Sequence, residues 1–328
     1  MLFLGIDVGT TKTHALLCDE AGNVRAFGVG SSGNPEVVGY DGLIQAMRDA
    51  LNPALKEAGV DVRLVRAAGF GIAGYDWPAD LPATMEAVRA LGLDCPLVVE
   101  NDAVPGLWAG SSQGWGIVAS AGTGNNVRGL TMDGRTGRIT GNSIEFGEFG
   151  GAGEIVFKAI QQVTYMWTKR GPDTDLADVF MRHCGAKDLF DLMEGLVRGR
   201  YKLHAAQAPL VFRAADNGDA VALEVVEWSA AEMGESVLAV ARQLELVNVP
   251  FEVVMAGSLF PASAIYRRAF EERVGCVASR ANFVLLNAPP VTGAVLMGMH
   301  AAGMDTAKIR ADLLRHFEAF KAGHAGFS

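Results

Sequence analysis

At the N-terminus, two apolar runs enclose a short polar turn, which is the pattern of a β-hairpin. Residues 2–6 form the first run and end at the acid Asp7, and residues 14–18 form the second run and end at Asp19. The turn consists of small residues and one cation: Val8, Gly9, Thr10, Thr11 and Lys12. The pattern therefore predicts two antiparallel strands joined by a tight turn.

A second hairpin pattern of the same kind begins near residue 116. An apolar run ends at Ala121, a turn of sequence Gly-Thr-Gly-Asn-Asn follows, and another run covers residues 127–132. This run also ends in a turn, at Asp133 and Gly134. Two glycine–threonine hairpins in one chain predict two halves of the same design.

Between the hairpins, strand-like runs alternate with helical patterns. Apolar residues recur at helical spacing over residues 43–55, and Gly59 stands where that helix would stop. Residues 65–74 are typical of a strand, residues 80–92 of a helix and residues 96–102 of a short buried strand. This alternation predicts a largely parallel sheet with helices packed against it.

The second half repeats the alternation with longer helices. Helical patterns cover residues 154–170 and 219–246, and strand patterns cover residues 251–260 and 281–290. In the first of these helices four apolar side chains are expected to face inward: Ile155, Ile160, Val163 and Trp167. The half therefore also predicts a sheet covered by helices.

The halves are expected to meet around residues 111–115. This gives an N-terminal domain at residues 1–113 and a C-terminal domain at residues 114–304. An amphipathic helical pattern covers residues 305–321. We expect this tail, residues 305–328, to pack back on the first domain.

Composition and charge exclude several classes of partner. The chain has 328 residues, half of them hydrophobic, which is enough for two domains with sizeable cores. Its net charge of −9 argues against a nucleic-acid or anionic-membrane partner. No apolar run is long enough to span a bilayer, and because the N-terminal residues read directly as a strand, we expect no signal peptide. The four cysteines are far apart and are expected to be reduced thiols, so we expect a cytoplasmic protein.

The two hairpin turns carry the residue types that bind phosphate. Backbone N–H groups of Gly122 and Gly124, together with the hydroxyls of Thr10, Thr11 and Thr123, could cradle a polyphosphate from two sides. Lys12 would supply a charge to the terminal phosphate, and Asp7 suits a magnesium ion. The alternative for a single turn is an ordinary tight hairpin with a surface lysine.

Asp102 ends a strand immediately before a helical segment. A carboxylate at the carboxyl edge of a sheet is placed where open α/β folds bind ligands, so Asp102 could serve as a general base. The alternative is that Asp102 or Asn101 caps the helix. A dipeptide at a later strand end, Gly257 and Ser258, forms a flat turn on which an adenine could lie.

Three further residues could hold a sugar hydroxyl. Asn34 both donates and accepts hydrogen bonds, but it could equally be a turn former before proline. Gly74 offers a backbone amide in a glycine turn. Glu148 lies in a glycine-rich loop before a helix, where an acid also matches the helix dipole.

The chain resembles a known superfamily in three motifs. The stretch Gly5-Ile-Asp-Val-Gly-Thr-Thr-Lys-Thr resembles the first phosphate motif of the actin, sugar-kinase and chaperone ATPase superfamily. Ala121-Gly-Thr-Gly-Asn-Asn resembles the second phosphate motif, and Val254-Met-Ala-Gly-Ser the adenosine motif. The order and spacing are most similar to the BadF/BadG/BcrA/BcrD ATPase family, and within it to the N-acetylglucosamine kinases, over residues 2–303.

The resemblance implies an α/β fold of two duplicated actin/ribonuclease-H-like domains with an interdomain nucleotide cleft. It implies roles for the matching positions: Asp7 near magnesium, Thr11 and Thr123 on the phosphates, Ala215 and Gly257 around adenosine, Asn34 and Asn126 on the amino sugar, and Asp102 as the catalytic base. Two departures concern the sugar. Glu148 stands where the family has aspartate, and residues 141–143 lack the tryptophan–glycine pattern of the acetylglucosamine enzymes.

The implied activity is phosphorylation of an amino sugar by ATP and Mg²⁺, with N-acetylglucosamine at O6 first and glucosamine second. A homodimer is possible.

A different class within the family is formed by the ATPase activators of 2-hydroxyacyl-CoA dehydratases. They hold an iron–sulfur cluster with cysteines beside the second phosphate loop, where this chain has Ser120. A non-catalytic sugar sensor or filament is a third alternative. The ROK-type sugar kinases carry a cysteine-rich zinc motif that this sequence lacks.

Overall fold

The computed structural model describes residues 1–323, so residues 324–328 of the predicted tail lie outside the described part. Ten strands form two five-stranded sheets. The strands of the first sheet are β1 (Leu2–Val8), β2 (Thr13–Asp19), β3 (Val24–Gly30), β4 (Val65–Ile72) and β5 (Leu97–Asn101). Those of the second are β6 (Gly116–Ala121), β7 (Asn125–Leu130), β8 (Thr136–Arg138), β9 (Phe251–Ala256) and β10 (Ala281–Leu285).

The two sheets have the same topology. The first runs in the order β3-β2-β1-β4-β5 and the second in the order β8-β7-β6-β9-β10. In each sheet the opening three strands pair antiparallel as a meander, and the last two add in parallel beside the first. The predicted duplication of an α/β unit is therefore confirmed at the level of strand order.

Three helices belong to the first half of the chain: α1 (Pro35–Ala58), α2 (Leu81–Arg89) and α3 (Ala103–Gly110). Helix α1 begins where the Asn34 side chain accepts a hydrogen bond from the Glu36 N–H, and it ends at Gly59 in the left-handed conformation. Its apolar face, including Leu43 and Met47, packs under the first sheet.

Nine helices follow in the second half. They are α4 (Ala152–Trp167), α5 (Leu176–Cys184), α6 (Leu189–Val197), α7 (Ala208–Asp216), α8 (Ala220–Gln243), α9 (Leu259–Ala262), α10 (Ala264–Gly275), α11 (Pro290–Ala301) and α12 (Thr306–Gly323). Helix α8 contributes the largest share of the second core, with Val225, Met233 and Val237 fully buried. No helix in the described range is both long and apolar enough to cross a membrane.

The two halves exchange helices. Helix α3 follows the first sheet, yet its Leu107 is buried against Val118 and Val254 of the second sheet. Helix α11 follows the second sheet, and its Val291 and Val295 pack against the first. The return of the chain to the first domain thus begins at α11, within the segment that the sequence assigned to the second domain.

The exchanged helices cross at very short range. A side chain on Gly293 of α11 would place its Cβ atom 1.8 Å from the Pro105 carbonyl oxygen of α3, so only glycine fits there. After α11, helix α12 lies on the first sheet with Leu313 and Phe317 buried beside Phe3.

Several details differ from the sequence pattern, among them one strand, the burial of another strand and the orientation of a tryptophan. Strand β3 was not predicted, because its alternation of Val24, Ala26 and Gly28 is weak. Strand β5 is half-buried rather than buried, since it is the edge strand of its sheet. Trp167 was expected to face inward, but 42% of its surface is exposed, and its ring contacts Phe190 at 6.4 Å between centroids.

Candidate active site

The first hairpin turn has three exposed polar side chains: Thr10, Thr11 and Lys12. The turn is closed by a hydrogen bond of 2.9 Å from the Gly9 N–H to the Lys12 carbonyl. Its base is fixed by Thr13, whose hydroxyl donates to the Ser31 carbonyl at 2.8 Å. The backbone is therefore fixed while the three polar side chains remain free to meet a ligand.

The second turn is held against the start of a helix. The N–H groups of Ala152 and Gly153, the first residues of α4, donate to the carbonyls of Gly122 and Thr123 at 2.9 and 3.0 Å. Thr123 and Gly124 are exposed. This turn thus lies beside the positive end of a helix dipole, which favours anionic groups.

A cavity of about 570 Å³ opens beside the second turn. It is lined by Gly122, Thr123 and Ser258, together with residues of α7 and the segment before it. Gly257 has φ of +91°, and a Cβ atom there would lie 2.2 Å from the Ala121 carbonyl oxygen. Glycine is therefore required where this strand end meets the second turn, and the cavity has the size of a nucleoside site.

Ala215 does not belong to this cavity wall. Only 6% of its surface is exposed, and it packs in the core of the second half. Helix α7 turns Phe212 toward the cavity instead. The sequence could place α7 near the nucleotide but could not tell which of its faces lines the site.

Two carboxyl groups, those of Asp7 and Asp102, lie at the carboxyl ends of β1 and β5 of the first sheet. Removal from water, with the nearby charge of Asp102 as a second cause, raises the pKa of Asp7 to about 8. Removal from water and the charge of Asp76 raise the pKa of Asp102 to about 6, although Arg128 opposes this rise. The charge of Asp102 thus reaches Asp7, and each raised pKa means that its surroundings favour the protonated carboxyl.

Asp102 does not cap the helix that follows it. Its side chain makes no capping hydrogen bond, although it occupies the position before α3. The Ala103 N–H is instead bound by the Asn101 side-chain oxygen at 3.1 Å. The cap and the acid are thus separate residues, which leaves the Asp102 carboxylate available to a ligand.

Asn34 and Gly74 lie in contact on the first domain. A Cβ atom on Gly74 would be 2.3 Å from the Asn34 side-chain oxygen, so glycine is needed for this approach. Asn126 of β7 donates to the Asn101 oxygen at 3.0 Å. Asn126 therefore contacts the end of β5, and Asn34 contacts Gly74 after β4.

Glu148 has a different environment from the one expected of a sugar ligand. Its carboxylate accepts hydrogen bonds from the Thr140 N–H and hydroxyl at 2.7 and 2.9 Å, and from the Gly141 N–H at 2.8 Å. It also accepts from the Asn142 N–H at 3.2 Å. All of these donors belong to residues 140–142, so the Glu148 carboxylate stabilises the turn that these residues form.

Sequence reasoning missed an ion pair at the same place. Arg128 of β7 donates to Asp76 of the first domain at 2.5 Å, and only 7% of the arginine surface is exposed. Beside it, the guanidinium of Arg138 lies 4.0 Å from the ring centre of Trp77. Nothing in the local sequence marks these pairs, because their partners lie far apart in the chain.

No three histidine, cysteine or acidic side chains of residues 1–323 come together as a metal site. At the first hairpin turn, β1 carries one carboxyl group, that of Asp7. This fits magnesium, which takes one or two carboxylates and completes its coordination with phosphate oxygens and water.

Two curated relatives are similar over most of their length. An N-acetylmuramic acid/N-acetylglucosamine kinase of Clostridium acetobutylicum is 27% identical, over 78% of this chain and 84% of that protein. An N-acetyl-D-glucosamine kinase of Dictyostelium discoideum is 23% identical, over 92% of this chain and 98% of that protein.

A solved structure shares the fold. A Chromobacterium violaceum protein, solved as a candidate N-acetylglucosamine kinase, superposes with a TM-score of 0.65 and 23% identity, over 90% of this chain and 98% of that one. The sequence model of the BadF/BadG/BcrA/BcrD ATPase family matches residues 4–298, which is most of the chain. The protein therefore belongs to the BadF/BadG/BcrA/BcrD ATPase family.

Proposed function

We propose that the protein is an ATP-dependent kinase that phosphorylates N-acetylglucosamine, or a close amino-sugar relative, at O6. The observation that carries the proposal is the presence, in one chain, of two desolvated carboxyl groups at strand ends, Asp7 and Asp102, and of two glycine–threonine turns. The two relatives, an N-acetylmuramic acid/N-acetylglucosamine kinase and an N-acetyl-D-glucosamine kinase, support the same substrate class.

On the nucleotide side, the adenosine would occupy the cavity beside Ser258, with its phosphates between the two turns. Thr11 and Thr123 would bind phosphate oxygens, and Lys12 would face the terminal phosphate. Asp7 would hold Mg²⁺, which when bound neutralises the charge of the phosphates. The raised pKa of Asp7 fits this role, because a buried carboxyl without a cation holds its proton.

On the sugar side, Asn34 and Asn126 would bind hydroxyl or amide groups from the two domains. Asp102 would accept the proton of the sugar O6 hydroxyl as O6 attacks the γ-phosphorus in line. The O6–phosphorus bond forms, the bond to the β-phosphate oxygen breaks, and ADP leaves. A pKa below neutrality keeps Asp102 ionised at pH 7 and therefore able to take that proton.

Glucosamine is the second candidate substrate. The iron–sulfur activator class is disfavoured, because residues 120–122 of the second phosphate turn include no cysteine and all four thiols lie elsewhere in the sequence. The free state of Cys18, Cys95, Cys184 and Cys276 supports a cytoplasmic location, where thiols stay reduced.

The test is a panel of sugars in a coupled assay of ADP release, with phosphate position determined by NMR. We expect ADP release that depends on N-acetylglucosamine and a product phosphorylated at O6. N-acetylmuramic acid, glucosamine and glucose complete the panel. ADP release that no sugar stimulates would refute the proposal, and a brown protein containing iron would revive the activator alternative.

Replacement of Asn34 tests the sugar pocket. We expect Asn34→Ala to raise the sugar KM at least tenfold while the ATP KM stays near its original value, because Asn34 lies on the sugar side. Asn34 also caps α1, so the variant loses about 1 kcal/mol of stability. Asp188→Ala removes the equivalent cap of α6 and controls for that loss. An unchanged sugar KM would remove Asn34 from the pocket.

A further inference from the structure

Asn101, the residue before Asp102, makes hydrogen bonds in three directions although only 5% of its surface is exposed. Its side-chain oxygen accepts from the Ala103 N–H at 3.1 Å and from Asn126 at 3.0 Å. Its side-chain nitrogen donates to Asp76 at 3.1 Å and to the Tyr75 carbonyl at 3.3 Å. Every polar atom of this buried amide is therefore used.

One of these bonds sets the turn that carries Asp102. The Ala103 N–H is an early donor of α3 and has no partner within the helix. By accepting from it two residues ahead, Asn101 closes a turn around Asp102. The direction in which the Asp102 side chain leaves the backbone is therefore fixed by Asn101.

Two of the other bonds connect this turn to the second domain, one directly through Asn126 and one through Asp76. Asn126 and Arg128 stand two positions apart on β7, so they point to the same face of their sheet. Asn126 binds Asn101 directly, and Arg128 binds Asp76, which in turn accepts from Asn101. The buried guanidinium of Arg128 depends on this contact, because an unpaired buried charge is costly.

We propose that Asn101 is a positioning residue that couples the orientation of Asp102 to contact between the two domains. The inference rests on the proposed function. When the domains separate, the bonds from Asn126 and Arg128 are lost, and the Asp102 turn keeps only its local hydrogen bonds. The carboxylate is then held in its working direction only when the second domain, which carries part of the phosphate site, is in place.

Two substitutions of Asn101 separate the local bond from the interdomain bonds. Asn101→Ala removes all of them. Asn101→Ser keeps a hydroxyl that can accept from the Ala103 N–H, but it is too short to reach Asn126 and Asp76. We expect both variants to lower kcat about 10- to 100-fold, as small misplacements of a catalytic group do, with the ATP KM nearly unchanged.

A double-mutant cycle tests whether the interdomain bonds act as one unit. We expect Arg128→Gln to lower kcat as well, and Asn101→Ser with Arg128→Gln to lose less than the product of the single effects. Wild-type kcat in Asn101→Ser would overturn the proposal, as would strictly multiplicative effects. Thr84→Ala, which removes a buried hydroxyl bound to the Asp80 carbonyl in α2, is the control for general destabilisation.

A measurement without substrate keeps the inference separate from the proposed function. Amide hydrogen exchange at Ala103 should be faster in Asn101→Ala than in wild type and close to wild type in Asn101→Ser. Equal exchange in all three proteins would show that Asn101 does not hold the turn. A wild type without sugar-kinase activity would instead refute the proposed function and leave this result intact.

Discussion

At the scale of single residues, the site is built on two acids whose surroundings differ. Asp7 ends a central strand and Asp102 ends an edge strand, yet both carboxyls are taken out of water at the same cleft. Desolvation raises both pKa values; the charge of Asp102 adds to the rise at Asp7, and the charge of Asp76 adds to the rise at Asp102. One acid therefore holds a proton at neutral pH until a cation arrives, whereas the other is ionised and can act as a base.

Replacement of the base tests its role directly. We expect Asp102→Asn to lower kcat by about two to four orders of magnitude, because asparagine cannot accept the proton. The melting temperature at pH 8 should not fall. The raised pKa of Asp102 favours the folded state below pH 4, and that contribution is lost as the pH rises through about 6, so the ionised carboxylate costs stability at pH 8. Near-normal kcat with a normal melting temperature would refute the mechanism.

Proton release tests the other acid. A carboxyl with a pKa of about 8 is mostly protonated at pH 7, and a divalent cation favours its ionised form. We therefore expect binding of Mg·ATP at pH 7 to release close to one proton, measured by calorimetry in buffers of different ionisation enthalpy. The release should vanish in Asp7→Asn, and in wild type at pH 9.5. Equal release at both pH values would contradict the assignment.

At the scale of elements, the same hairpin design serves each half in a different setting. The first turn is supported by the loop at Ser31, and the second by the start of α4. Only the first turn carries a lysine. The second turn has instead the positive end of a helix dipole, so two different sources of positive potential would face the phosphates.

Removal of the lysine should act on the nucleotide alone. We expect Lys12→Ala to raise the ATP KM at least tenfold and to leave sugar affinity in calorimetry nearly unchanged, because the side chain lies on the phosphate turn. Lys56→Ala, an exposed lysine at the end of α1, should change neither quantity. Equal loss of both affinities in Lys12→Ala would place the lysine elsewhere.

At the scale of the whole molecule, the halves are joined by exchanged helices. Helix α3 packs on the second sheet, α11 and α12 pack on the first, and α3 crosses α11 at Gly293. Arg310 of α12 donates to the carbonyls of Ala109 and Gly110 at the end of α3. The C-terminal helix therefore packs on the first sheet and is also bonded to the end of α3.

This packing predicts a remote effect on stability. Phe317 is 1% exposed and lies in the core around Phe3, so Phe317→Ala should cost about 3–5 kcal/mol of unfolding free energy. Phe190→Ala should cost much less, because 65% of that side chain is exposed. Chemical denaturation of both variants provides the measurement. Equal losses would mean that the C-terminal helix does not complete the core.

The sequence by itself determined the local features of this protein. These local features are the apolar runs, the two glycine–threonine turns and the acids at strand ends. A tight turn joins strands that are neighbours in the chain, so the pairing of those strands is also a local feature. The repeat of the same order in both halves then indicated a duplicated fold. The family membership followed from the same short motifs.

Only the tertiary structure decided the features that depend on distant partners. Asp76 and Arg128 form an ion pair, Glu148 is occupied by the 140–142 turn, and Ala215 faces the core. The exchange of α3 and α11 likewise depends on tertiary packing, because each of these helices buries a face of the sheet in the other half. These outcomes depend on contacts between segments far apart in the chain. A local pattern of polar and apolar positions carries no information about such contacts.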